Sequence, residues 1–177
     1  GKIFVHTNET IPYSWICEKL IDNDKPFYFN GKDGSGKSFL LTTLFNRKSE
    51  EDMEIKKLKI LASYYTNPDD VEKYIFKNVL PIIIDLFGDK YLKQICLYID
   101  DLNMNVQKYK YDSSTLFEFL RELVENKYIS DTQNNEMRYL KKFNMCGCGN
   151  LTAYPNQEQF NRFLTKYLVM TFVTTDD

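Results

Sequence analysis

Eight consecutive residues, Gly31-Lys32-Asp33-Gly34-Ser35-Gly36-Lys37-Ser38, set glycines, a lysine and a hydroxyl at the spacing GxxxxGK[ST]. Glycine reaches backbone conformations that turn successive N–H groups inward, so such a loop can cradle phosphate oxygens. A helix opening directly after it adds partial positive charge. In this pattern Gly31, Lys32, Asp33, Gly34, Ser35 and Gly36 form the cradle. Lys37 reaches the β- and γ-phosphates, and Ser38 holds Mg²⁺. The flanks suit the motif: Phe27-Tyr28-Phe29 predicts a short buried strand before it, and Ser38 to Phe45 predicts the helix after it.

Some sixty residues later, Cys96-Leu97-Tyr98-Ile99-Asp100-Asp101 reads as an apolar strand ending in two acids. Beside a phosphate loop, the first acid is placed to bind Mg²⁺ directly or through water. Asp100 is therefore the second candidate magnesium ligand. Asp101 falls where a hydrolysing enzyme usually carries a glutamate that orients the attacking water, so it is a weakened candidate for that role. ATP or ADP with Mg²⁺ are the cofactors this pair of motifs calls for. Other chemistry finds little support. His6 is the single histidine, and no nucleophile motif surrounds it. The four cysteines, Cys17, Cys96, Cys146 and Cys148, contain no CxxC pair, so free thiols are expected rather than a zinc site.

These residues need a scaffold, and the pattern of the chain supplies one. A single domain of 177 residues, 43% of them hydrophobic, is long enough for a sizeable core. Predicted helices and strands alternate, which implies an α/β fold with a mostly parallel five-stranded sheet and three or four crossover helices. A first helix opens at Thr10-Ile11-Pro12, with Trp15, Ile16 and Leu20 as its inward face. Leu58 to Ala62 predicts the second strand. Asn67-Pro68-Asp69-Asp70 has a cap, a proline and acids in the order of a helix start, and Val71, Ile75 and Val79 follow as its buried side. Gly88-Asp89 predicts a turn, and Ile95 to Ile99 the third strand. Asp112, Ser113 and Ser114 are candidate caps for a helix whose stripe is Leu116, Leu120, Leu123 and Val124. Asn134-Asn135 predicts a hairpin turn between Tyr128-Ile129 and a strand around Phe143. Tyr167 to Val173 predicts the last strand.

Composition removes whole classes of partner. The net charge is −2 and the pI about 5.6, against the basic excess of nucleic-acid-binding domains. Lys56, Lys57 and Lys59, the densest basic group, follow the acidic run Glu50 to Glu54 and read as a solvated mixed-charge linker. Mean hydropathy is −0.45, and no apolar run approaches the roughly 20 residues of a membrane helix. The expectation is an intracellular chain with no nucleic-acid or membrane partner.

The segment Ile99-Asp100-Asp101-Leu102-Asn103-Met104 resembles the IDDLNMP signature in the third AAA+ module of dynein heavy chains, the axonemal ones especially. Other segments resemble the same family in order along the chain. Val5-His6-Thr7-Asn8-Glu9-Thr10 is similar to its VPTxDT opening, and Leu116 to Glu122 to its PIELLRQ helix. Tyr128 to Asp131 lies where the family has a WYD hairpin, and Arg162-Phe163-Leu164-Thr165-Lys166-Tyr167 resembles RFLRHF. The resemblance runs from Val5 to Phe172. It implies the large α/β subdomain of an AAA+ module, spanning 1–177 as a fragment of a much longer motor chain, without the small helical lid.

In that family the module binds ATP or ADP and regulates a microtubule motor. Its partners would be neighbouring AAA+ modules of the same heavy chain, with microtubules reached only through the rest of the motor. The implied location is the cytoplasm and cytoskeleton, or the axoneme of a cilium or flagellum for the axonemal type. Arg162 becomes a candidate arginine finger acting in trans. Several positions depart from the family pattern. Asn105 replaces a proline, Gly147 stands where many AAA+ proteins carry a sensor asparagine, and Thr165 replaces an arginine. Cys148-Gly149-Asn150-Leu151-Thr152 replaces a proline- and glycine-rich loop. These departures weigh against hydrolysis more than against binding, so the fragment is expected to be nearly inactive. The alternative reading is a free-standing P-loop enzyme such as a nucleotide kinase. It needs an arginine-bearing lid, and Arg47, Arg121, Arg138 and Arg162 form no such run.

Overall fold

The computed structural model describes residues 10–51, 55–105, 115–131, 136–150 and 162–173. Residues 5–9, the cap candidates Asp112, Ser113 and Ser114, the turn at Asn134-Asn135, and Leu151-Thr152 lie outside them.

Five strands form one sheet: β1 (Phe27–Asn30), β2 (Ile55–Leu61), β5 (Gln94–Asp100), β8 (Phe143–Gly149) and β9 (Leu168–Thr171). Their order is β2-β5-β8-β1-β9, and every pairing is parallel. Side chains alternate between the faces of a strand, and the two cores follow that alternation. Ile95, Leu97 and Ile99 join Leu58 and Met145 under helices α3 (Pro68–Asn78) and α4 (Thr115–Asn126). Cys96 and Tyr98 join Phe27, Phe29, Cys146 and Cys148 under α1 (Thr10–Asp22) and α2 (Lys37–Glu51). The result is a sheet between two helical layers, as the alternating pattern predicts. All four cysteines are buried free thiols, and among the described residues no cluster of metal-ligating side chains forms.

Local chemistry accounts for the helix ends. Asn67 caps α3, its Oδ1 accepting from the Asp70 N–H at 2.9 Å, with Pro68 at the first helical position. Val71, Ile75 and Val79 are buried as expected, and so is the Leu116, Leu120, Leu123 and Val124 stripe of α4. The inward face of α1 is displaced from the expected one. Ser14, Cys17 and Ile21 are buried, whereas Trp15 is 60% exposed. Small residues let α1 lie close to α2 and the sheet, and the indole is left outside.

Two further expectations are corrected. The hairpin from Tyr128 does not reach the strand around Phe143. β6 (Tyr128–Asp131) pairs antiparallel with β7 (Glu136–Leu140), and Lys142, at φ 50°, turns the chain into β8. β8 is buried along its whole length between β5 and β1, a place that suits a mostly apolar strand whose one polar side chain, Asn144, is hydrogen-bonded. β7 joins a second, four-stranded sheet of order β3-β4-β7-β6, with β3 (Leu80–Ile83) and β4 (Leu86–Gly88) as an unforeseen hairpin. The predicted Gly88-Asp89 turn falls at Asp89, whose carbonyl accepts from Leu92 N–H at 3.0 Å. Lys56, Lys57 and Lys59 are not a linker: they lie within β2. Lys57 Nζ donates to Asn46 Oδ1 at 2.7 Å, and Lys56 Nζ to the Asn78 carbonyl.

Candidate nucleotide-binding site

The loop follows β1, the strand flanked by β8 and β9, and ends at the first turn of α2. Three backbone bonds set its base. Gly31 N–H donates to the Gly149 carbonyl at 3.2 Å, Phe172 N–H to the Asn30 carbonyl at 2.7 Å, and Leu40 N–H to the Gly36 carbonyl at 2.9 Å. Gly34 and Gly36 hold φ at 79° and 91°, a region costly for residues with a Cβ. Lys37 is only 6% exposed, and its ammonium spans the loop, donating to the Lys32 carbonyl at 2.5 Å and to Ser35 Oγ at 3.4 Å. Lys32 and Asp33 are exposed at the rim, where Asn150 Nδ2 lies 3.4 Å from Asp33 Oδ2.

Asp100 closes β5 beside this loop and is 4% exposed. Ser38 Oγ donates to its Oδ1 at 2.7 Å, so the two candidate magnesium ligands are brought into direct contact. Cys148 Sγ donates to the same oxygen at 2.8 Å, and Tyr98 OH lies 3.3 Å from that sulfur. Lys59 Nζ reaches the other oxygen, Oδ2, at 3.0 Å. Burial opposes the charge on Asp100, but hydrogen bonds from Cys148, Ser38, Lys59 and Tyr98 outweigh it and hold the carboxyl below its ordinary value. Burial, and then the Asp100 charge, push the Cys148 thiol up to about 12, so it serves as a neutral donor.

Asp101 is half-buried and sits in the left-handed region at φ 51°, ψ 41°, at the head of a 3-10 turn over Leu102–Met104. Burial raises its pKa, and the Asp100 and Asp33 carboxylates raise it further. Arg162 lies apart from these groups. It is exposed and its Nε is 3.8 Å from Glu118 Oε1 on α4, with no bond to residues 31–38, 100 or 101 among the described residues.

Four residues near the site carry roles that the motifs alone do not assign. Cys148 enters the site because Ile99 pairs with Gly147, which sets the next pair, Asp100 and Cys148, side by side on one face. Gly147 has no side chain to offer, and a Cβ there would meet the Tyr28 ring at 3.1 Å. Asn103, within the resembling signature, is buried and accepts from Asn150 N–H at 3.2 Å. Asn105 Nδ2 donates to the carbonyls of Ser63 and Thr66 at 2.9 and 2.8 Å, tying the β2–α3 loop to the turn after Asp100.

Gly149 packs tightest of all. A Cβ at that position would lie 2.3 Å from Asn103 Oδ1 and 2.5 Å from Tyr28 OH, closer than real contacts allow. Both neighbours are buried, so neither can give way freely. Overpacking of this kind costs about 3 kcal/mol. Gly149→Ala should therefore melt about 6–12 °C below the parent, measured by circular dichroism. A melt within about 2 °C of the parent, a change of roughly 1 kcal/mol or less, would show that this contact is not tight in solution.

The residues present suit a magnesium nucleotide. Positive-φ glycines and a helix N-terminus offer N–H groups to phosphate, Lys37 adds a buried cation, and the Ser38 and Asp100 oxygens form a hard donor pair of the kind Mg²⁺ prefers. A parallel sheet with this loop after an interior strand defines the P-loop class of α/β domains. The chain matches the family described as "P-loop containing dynein motor region" over residues 1–175, and it belongs to that family. It is 26% identical over 158 residues to "Dynein heavy chain-like protein 2" of Plasmodium falciparum, covering 86% of this chain and 3% of that protein. It is 27% identical over 129 residues to "Dynein axonemal heavy chain 10" of Homo sapiens, covering 73% of this chain and 3% of that protein. To "Dynein beta chain, ciliary" of Tripneustes gratilla it is 24% identical over 151 residues, covering 85% of this chain and 3% of that protein. The chain thus spans about 3% of the length of these relatives.

Proposed function

We propose that this chain is the large α/β subdomain of a regulatory AAA+ module, the third of a dynein heavy chain, and that it binds ATP or ADP with Mg²⁺. The observation that carries this reading is the 2.7 Å bond between Ser38 Oγ and Asp100 Oδ1 at the mouth of the phosphate loop. Two residues 62 positions apart meet beside the phosphate loop, and together they would hold a divalent cation that comes with the nucleotide. When bound, the cation would neutralise phosphate charge. Ser38 and Asp100 would hold it, Lys37 would bind the terminal phosphates, and the backbone of 31–36 would cradle the rest.

The names "axonemal" and "ciliary" borne by several relatives support the axonemal type and a place in the cytoskeleton of a cilium. In such a motor the partners are neighbouring AAA+ modules of the same heavy chain, and microtubules are engaged elsewhere on it. Arg162, exposed and 3.8 Å from Glu118, supports a role on the nucleotide of an adjoining module. The test is calorimetric titration of the chain with ATP. Removing Mg²⁺ with EDTA should weaken binding about tenfold or more, a loss of at least about 1.4 kcal/mol. Asp100→Asn should remove most of that response. An ATP affinity indifferent to both changes would overturn the assignment of Ser38 and Asp100.

A further inference from the structure

The carboxylate at the end of β5 is shared between groups from the elements on either flank of that strand. Its Oδ1 takes Ser38 and Cys148, while Oδ2 takes the Lys59 ammonium at 3.0 Å. Lys59 stands opposite Tyr98 in the β2–β5 register, and its Nζ is 5.3 Å from the centre of that ring. The two partners differ in access to water. The Asp100 side chain is 6% exposed, whereas that of Lys59, on the edge strand β2, is 39% exposed. Beside Lys59 opens a cavity of about 410 Å³, lined also by Ser63, Tyr65, Thr66, Asp70 and Tyr74.

A buried carboxylate kept ionised requires a cation nearby. Lysine can be that cation reversibly, because its compact charge rides on a flexible four-carbon stem. We propose that Lys59 is a positioning residue for the metal site: it stands in for the divalent cation at Asp100 and yields to it, withdrawing into the adjoining cavity towards Asp70. This inference rests on the reading of Ser38 and Asp100 as the metal pair. Its consequence is selectivity. An ammonium already on Asp100 repels a free divalent cation, and only a cation arriving with nucleotide phosphates gains enough from Lys37 and the loop to displace it. Withdrawal is cheap because Lys59 meets solvent and has a carboxylate, Asp70, lining the space it enters.

The experiment is a double-mutant cycle read as the ratio of ATP affinity with Mg²⁺ to that with EDTA. It uses the parent chain, Lys59→Met, Asp100→Asn and the double variant, each first shown to melt cooperatively. Lys59→Met should raise the ratio about three- to tenfold, the scale of a half-exposed ion pair and its hydrogen bond. Lys59→Arg should stay near the parent. Adding Lys59→Met to Asp100→Asn should leave the ratio of that variant unchanged, because the effect passes through Asp100. An unchanged ratio in Lys59→Met, or the same rise in both backgrounds, overturns the role of Lys59 while leaving the metal pair intact. A parent ratio near one overturns the metal pair itself, and Lys59 with it.

Discussion

Lys37→Ala is expected to weaken Mg-nucleotide binding by about 10²–10⁴-fold. The ammonium is buried, held in the loop by the Lys32 carbonyl and Ser35 Oγ, and so is already positioned for phosphate oxygens. Two charge-assisted hydrogen bonds to phosphate contribute about 1.5–3 kcal/mol each, and each 1.4 kcal/mol is tenfold in affinity. The same substitution removes a bond to the loop's own carbonyl, at a net cost of about 1 kcal/mol. Stability should therefore fall by only a few degrees, roughly 2–4 °C. Calorimetry and a thermal melt on one preparation separate the two effects. Affinity near the parent's in a folded variant would mean that phosphate binds elsewhere.

The second large effect concerns turnover. Hydrolysis of ATP by this chain alone should be slower than about 10⁻² per second, against about 10 per second for a median enzyme. Asp101 is one methylene shorter than glutamate, which withdraws its carboxylate from the water-orienting position by roughly 1.5 Å. A misplacement of about 1 Å costs on the order of a hundredfold in rate. Gly147 contributes no side chain, and the Tyr28 ring fills the space over it. Among the described residues the Arg162 side chain pairs with Glu118 and makes no bond to residues 31–38, and lack of an arginine finger typically costs about 10³–10⁵ in rate. These losses need not multiply, since such groups act as a unit. A phosphate-release assay measures the rate, with Lys37→Ala as the contamination control. Turnover near one per second that disappears in that control would be incompatible with a regulatory module.

What could be read from the sequence was local in character. The phosphate loop is eight adjacent residues, and the start of α3 is written in four, so no tertiary information was needed. The stripe of α4 repeats at helical spacing and can face only one way. The misreadings share a different cause, dependence on distant neighbours. The expected partner of Tyr128 was the strand around Phe143, and the observed one, residues 136–140, is separated from it only by Lys141-Lys142. Burial on both faces decides between them, and that burial comes from β5 and β1. Ile82, Ile83 and Ile84 are apolar yet lie exposed in or beside a hairpin, which composition alone does not foretell. The thiol of Cys148 and the ammonium of Lys59 entered the site through strand register, which pairs residues 48 and 41 positions from Asp100 and follows from sheet order rather than spacing. On a single strand, counting parity alone would have put Cys148 on the same face as Cys146 but not beside Asp100.

The place of β1 in the sheet also governs when the site can come into being. Both neighbours of β1 belong to the far end of the chain: β8 begins at Phe143 and β9 at Leu168, and Asn30 contacts Thr171 across 141 positions. As the polypeptide leaves the ribosome, the strand that carries the phosphate loop therefore waits, unpaired on both edges, for almost all of the described residues to emerge. Such long-range pairing slows folding, because loop closure precedes any stabilising contact. The helices α1 and α2 and the hairpin β3–β4 can form early from local sequence, but the loop is clamped only when Phe172 N–H meets the Asn30 carbonyl and Gly149 meets Gly31. The candidate site is thus completed only once β9 has emerged, and a ligand present at that moment would favour the completed sheet over its unpaired precursors.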